Sequence, residues 1–204
     1  VSFRYNTNVT GFRCECDRSK GVLTEDGDFI SGSHIVLCLG AWTPKHAENV
    51  GLNLPMQAGK GYSITINNPK VVPETCALLS EDKVSMTPMN GKLRFGGTME
   101  IVGMDTTINP VKLSALKKAA CRYFPEFSME DFEDQEVWVG LRPISPDGLP
   151  YVGSVQQYEN VYVSTGHAMM GMSLGLVSGS IISSLISKGD AELAHPLIDP
   201  GRYS

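Results

Sequence analysis

The stretch His34-Ile35-Val36-Leu37-Cys38-Leu39-Gly40-Ala41-Trp42-Thr43-Pro44 decides the fold class. Its first half is apolar without alternation, the pattern of a strand covered on both faces. Gly40 ends the run, Thr43 is placed to cap a helix, and Pro44 suits a first helical turn. A buried strand, a glycine and a capped helix make a βα corner. In open α/β sheets, ligands sit outside such corners.

A second corner lies far along the chain. Residues 160–165 predict a strand, followed by Gly166-His167-Ala168-Met169-Met170-Gly171-Met172. Residues 168–187 carry no charge, and comprise eleven apolar residues, six Ser and three Gly. That is too polar for a membrane span and predicts a helix buried inside the protein. Gly171, Gly175 and Gly179 recur every four residues and line one face of it, where another backbone or a flat cofactor can approach closely. The helix start offers unpaired N–H groups and partial positive charge, suited to an anion or an electron-rich carbonyl. The alternative is a plain packing corner. His167 is either a ligand donor or a packing residue.

Between the corners the pattern changes. Residues 8–16, 21–24 and 28–30 predict short strands before the first corner, separated by turn signals. Residues 62–66, 84–89 and 92–99 predict antiparallel strands, and Asn109-Pro110 starts a helix. Val111, Leu113, Leu116, Ala120 and Tyr123 recur on its inner side, with Lys112, Lys117, Lys118 and Arg122 left to solvent. Residues 136–140 predict a further strand that ends in Gly140-Leu141-Arg142-Pro143. The guanidinium of Arg142 is a planar fork that grips a carboxylate, or else pairs with one of the chain's own acids. Gly59-Lys60-Gly61-Tyr62 sets a cation and a phenol among small residues, both able to face a substrate.

Other readings fall away. The chain has 204 residues, a net charge of −5, 42% hydrophobic and 19% charged residues, which is globular and gives no basic footprint for nucleic acid. Cys14, Cys16, Cys38, Cys76 and Cys121 lack paired metal or disulfide spacing, so they are expected to be reduced thiols, as suits a cytoplasmic compartment. His34, His46 and His195 have no partners at metal spacing. Asn8-Val9-Thr10 matches a glycosylation sequon without secretory context and reads as strand. Gly171-Met172-Ser173-Leu174-Gly175 matches the hydrolase elbow, yet Ser173 falls inside the predicted helix instead of at a strand-end turn. The glycine-rich signatures of a P-loop or a dinucleotide fold are absent from the sequence. Val1 falls in mid-pattern, as expected of a fragment of a longer protein.

Taken together, the chain resembles the C-terminal half of the D-amino-acid oxidase/dehydrogenase family of FAD-dependent oxidoreductases, nearest to the D-amino-acid dehydrogenase small subunit. The resemblance rests on residues 36–42, 54–63, 93–100, 138–150 and 160–167, with Gly201-Arg202-Tyr203 at the end, all in family order. It implies an α+β / α/β chain: a partial FAD-binding domain, residues 1–48 and 137–204, interrupted by an antiparallel-sheet substrate domain, residues 49–136. By the same resemblance FAD is the cofactor. Val9 would sit near the adenine, Gly40, Ala41 and Trp42 would line the cofactor, and Gly166, His167, Ala168, Met169, Met170, Gly171 and Met172 would set N–H groups against the flavin N1–C2=O2 edge.

The resemblance further implies that Arg142 clamps an amino acid carboxylate, assisted by Tyr62, and aims the Cα–H at flavin N5. No general base stands out, which fits direct hydride loss from the neutral amine and hydrolysis of the imine to 2-oxo acid and ammonia. Family dehydrogenases pass electrons to a quinone or respiratory carrier, which implies a cytoplasmic protein peripheral to the inner membrane. Glycine- or sarcosine-type amine oxidation is the alternative within the family. A folded module with no activity of its own is the other, since the family's dinucleotide-binding glycine motif is missing from these residues.

Overall fold

The structure, a computed structural model, describes residues 1–203. Its elements run β1 (Val9–Glu15), β2 (Arg18–Thr24), β3 (Phe29–Ser31), β4 (Ile35–Leu37), α1 (Thr43–Ala47), β5 (Gln57–Ile66), β6 (Ala77–Leu79), β7 (Val84–Met89) and β8 (Lys92–Ile101). Then come α2 (Pro110–Tyr123), β9 (Glu136–Ile144), β10 (Tyr151–Ser154), β11 (Val161–Thr165) and α3 (Gly171–Lys188). The chain divides into two compact units, residues 1–57 with 142–204, and residues 58–141.

In the first unit, β1, β2 and β3 form an antiparallel meander, and a second sheet has the order β10-β11-β4. Strands β4 and β11 are parallel, with Val161 opposite Ile35 and Val163 opposite Leu37, so both strand ends point the same way. Their shared core holds Leu37, Val50, Leu52, Leu54, Tyr151, Val155, Val161 and Val163. Each such side chain contributes about 1.5–3 kcal/mol of burial. Val50, Leu52 and Leu54 pack into this core, so the compact unit extends through residue 57. Asn160 joins the two sheets: its side chain accepts from Ser19 N and donates to the carbonyls of Ser19 and Ser33.

The second unit is built on the sheet β6-β7-β8-β5-β9, with α2 packed on it. Phe95, Phe124, Phe127 and Phe132 meet in its core, edge-on except for the tilted Phe95–Phe132 pair. Asn109 caps α2, its side chain accepting from the amides of Val111 and Lys112. Leu116, Ala119 and Ala120 form the buried face, whereas Val111, expected inside, is exposed. Opposite β5, strand β8 carries one extra residue: Lys60 faces Glu100 but Tyr62 faces Gly97. Thr98 absorbs this bulge at φ +70°, an unusual conformation for a β-branched residue.

Two expectations need correction. Strand β4 is not covered on both faces: Val36 and Cys38 are exposed. Helix α3 is not buried either; only Ser178, Ile181 and Ile182 are, while Met172 is 97% and Leu176 90% exposed. Apolar composition alone cannot report what lies against a face. No helix among the described residues is long and apolar enough to cross a membrane.

Candidate functional site

The parallel pairing of β4 and β11 sets their following corners side by side. Beyond β4, Gly40 turns at φ +55° and Gly40–Trp42 form a short helical turn. Thr43, expected as a cap, is instead the first residue of α1. Its hydroxyl lies 2.8 Å from the Gly40 carbonyl and 3.0 Å from the Thr165 hydroxyl, which itself reaches Gly40 O at 3.1 Å. Both threonines are buried, so this cluster rivets one corner to the other.

Beyond β11, Gly166 turns at φ +78° and Ala168 at φ +48°. Gly166 is obligatory on two counts: its φ, and an added Cβ only 2.9 Å from the Tyr151 ring. The amide of Ala168 donates to Pro143 O at 2.9 Å, and Ile144 bridges His167, so the end of β9 runs directly along this corner. Arg142, the residue before Pro143, therefore lies one peptide from a bond to the turn. It is half-buried, and that burial lowers its pKa from the usual arginine value.

Helix α3 has no side-chain cap at Met170, and its first intrahelical bond runs from Leu174 N to Met170 O. The amides of Gly171, Met172 and Ser173 thus have no partner within the helix. Met169, Met170 and Met172 are exposed beside them, and Trp42 is exposed at the β4 corner. A Cβ on Gly171 would meet only His167 Cβ, at 3.7 Å, so the helix end is open in front. Further along, Gly175 and Gly179 border a cavity of about 570 Å³ with Val36, Cys38, Ser164 and Ile182. The uncapped amides, open glycine face and flanking methionines fit the carbonyl edge and flat body of a flavin.

The structure gathers Gly40, Ala41, Trp42, Arg142 and residues 166–172 at one end of one sheet. Val9 starts the separate meander, opposite Thr24. The imidazole Nε2 of His167 shares a 2.9 Å hydrogen bond with Ser178 Oγ. In the second unit, Tyr62 is 1% exposed, and its hydroxyl hydrogen-bonds Glu100 and accepts from Asn109 N. Lys60 Nζ is buried and donates to Asp105 and to Thr107 O, each at 2.9 Å. Both side chains are thus tied into the framework of their own unit, Tyr62 through Glu100 and Asn109 and Lys60 through Asp105 and Thr107.

Sequence reasoning missed a brace behind the corner. Arg202 grips Asp147 with Nε and Nη2, each at 3.0 Å, and donates to the carbonyls of Leu149, Pro150 and Asp199. Its guanidinium lies 3.8 Å from the centroid of Tyr151, the ring packed under Gly166. The Arg202 pairing drives the Asp147 carboxyl far below its ordinary pKa, and burial pushes Tyr151 up to about 12. The cysteines are all free, and no described residues cluster as a metal site.

The arrangement, a mixed α/β unit with two corners at the carboxyl ends of parallel strands, is that of a nucleotide-cofactor fold. The FAD dependent oxidoreductase family matches residues 1–185, and the chain belongs to it. It is 33% identical to a D-amino acid dehydrogenase of Methylobacterium nodulans and 30% identical to one of Xanthobacter autotrophicus, in each case over 100% of this chain and 48% of the relative. The chain thus spans about half the length of the curated relatives it matches. Among solved structures, glycine oxidase from Geobacillus kaustophilus shares the fold with a TM-score of 0.85 at 23% identity, over 97% of this chain and 52% of that one. L-proline dehydrogenase from P. horikoshii does so with 0.78 at 22%, over 97% and 54%.

Proposed function

We propose that this chain is the C-terminal part of an FAD-dependent enzyme that oxidises D-amino acids to 2-oxo acids and ammonia. The observation that carries the reading is the hydrogen bond from Ala168 to Pro143, which ties the strand bearing Arg142 to the open end of α3. Residues 1–48 and 137–204 are proposed as the cofactor part, and the intervening residues as the substrate part.

FAD, when bound, supplies the two-electron acceptor that takes hydride from the substrate Cα. The chain's own residues bind and orient. The amides of Gly171, Met172 and Ser173, with the helix dipole behind them, favour negative charge in front of α3. Gly40, Ala41 and Trp42 line the neighbouring corner, His167, Ala168, Met169 and Met170 shape the turn, and Val9 stands towards the nucleotide end. Arg142 takes the substrate carboxylate with its fork, which fixes how the Cα–H is presented. The imine product then hydrolyses in water.

The test is anaerobic mixing of the full-length flavoprotein with amino acids. Bleaching of the flavin band by D-alanine, and not by L-alanine or sarcosine, is expected. Bleaching by sarcosine or glycine alone would move the reading to secondary or unsubstituted amines, and no bleaching by any D-amino acid would overturn it. Transfer of electrons to a quinone analogue in preference to oxygen is expected of a dehydrogenase.

A further inference from the structure

We infer that His167 is a positioning residue, a latch that uses Ser178 to hold the amides at the start of α3 in place. The inference rests on reading the 166–172 turn as the flavin contact. The turn is costly to hold. Gly166 and Ala168 both take positive φ, and Ala168, unlike glycine, has a Cβ that disfavours this conformation. Such a conformation persists only where its surroundings over-determine it.

Three bonds do so here. Ala168 N–H is spent on Pro143 O at 2.9 Å, and Met170 N–H returns to His167 O at 2.8 Å. The third is the imidazole of His167, whose Nε2 meets Ser178 Oγ at 2.9 Å across a sequence separation of 11. Ser178 is 3% exposed and sits beside Ile181 and Ile182, the buried face of α3. The loop before the helix is thereby pinned to the middle of the same helix. With no side chain capping Met170, this pin substitutes for a cap, and it leaves the leading amides open where a capping oxygen would occupy them.

Amide hydrogen exchange on the full-length protein stripped of flavin reads the latch directly. Ser178→Ala removes a single oxygen and favours the helix, so loss of fold is not expected. The latch predicts exchange about five- to tenfold faster at Ala168 and Met170, with Ile182 unchanged. His167→Ala should give the same signature, and the double variant should add little to either single change. Ser178→Thr, which restores the hydroxyl, should return both amides towards their original rates. Unchanged exchange at Ala168 and Met170 in Ser178→Ala overturns the latch. In the flavin-loaded full-length protein, Ser178→Ala should weaken FAD binding several-fold and alter the shape of the visible band. Faster exchange with unaltered FAD affinity and spectrum would sustain the latch but remove the turn from the flavin site, which overturns the reading beneath it.

Discussion

Pro143 O accepts the amide of Ala168 at 2.9 Å, and this bond sets how far Arg142 can stand from the glycine turn. Because Pro143 and Ile144 are both held to the turn, Arg142 is carried on a fixed backbone instead of a loop. Replacing Arg142 by Ala should therefore leave the backbone in place and remove only the charged fork. The expected result is a rise in KM for amino acids equivalent to about 2–4 kcal/mol of lost charge-assisted binding. Steady-state kinetics of the full-length enzyme check it, and an unchanged KM would remove Arg142 from the substrate site.

Gly171 gives a cleaner test of the cofactor contact. The structure has room for a Cβ there, with the nearest atom 3.7 Å away. Gly171→Leu should thus fold normally yet put a side chain in front of the α3 amides. Circular dichroism should be unchanged while FAD content falls, and full FAD occupancy in the variant would count against the assignment.

Local patterns carried the sequence reading well. The 84–89 strand and the Asn109 helix start were legible because alternation and capping are written in neighbouring residues. Strands β6 and β10 escaped notice, being only three and four residues long. The Thr43–Thr165 cluster and the His167–Ser178 bond were illegible for another reason: each joins residues whose closeness depends on folding and not on spacing. The pairing of Tyr62 with Glu100 was illegible because a phenol among glycines looks the same whether or not its hydroxyl meets an internal carboxylate. Covering of α3 was misjudged because composition reports only how apolar a helix is.

The Arg202 brace should matter for stability and reach the corner indirectly. Arg202 has 9% side-chain exposure, and removing it leaves Asp147 unpaired and the Tyr151 ring unsupported. Arg202→Ala is expected to cost about 2–4 kcal/mol, and Arg202→Lys most of that, because an ammonium cannot reproduce the two-pronged grip. Urea denaturation measures both. An Arg202→Lys variant as stable as the original would show that the fork geometry contributes nothing.

Acid should weaken the second unit at a defined point. The Thr107 amide, and then Lys60, pull the Asp105 carboxyl down to about 2. A carboxylate with a depressed folded pKa gives stability that is complete above its unfolded value, near 3.9 by reference peptides. That contribution is lost as pH falls from there through about 2. Asp105→Asn should lower the melting temperature at neutral pH, since the buried Lys60 loses its counter-charge, and should flatten the acid limb between those pH values. A variant whose acid limb superposes on the original's would place the acid sensitivity elsewhere.

Gly175 and Gly179 separate what the helix needs from what its open face is for. Neither would meet any atom within 4 Å if given a Cβ, and both lie inside α3. A helical Gly→Ala change gains about 0.8–1 kcal/mol where nothing opposes it. Each alanine should therefore stabilise this chain in urea by about that amount. The glycines border the cavity beside Val36 and Cys38, so the same alanines should intrude on whatever that face receives in the full-length protein. Stabilisation of the chain together with reduced FAD content or stability of the full-length protein is the expected pair of results. Stabilisation of both would mean that the glycine spacing serves no close approach.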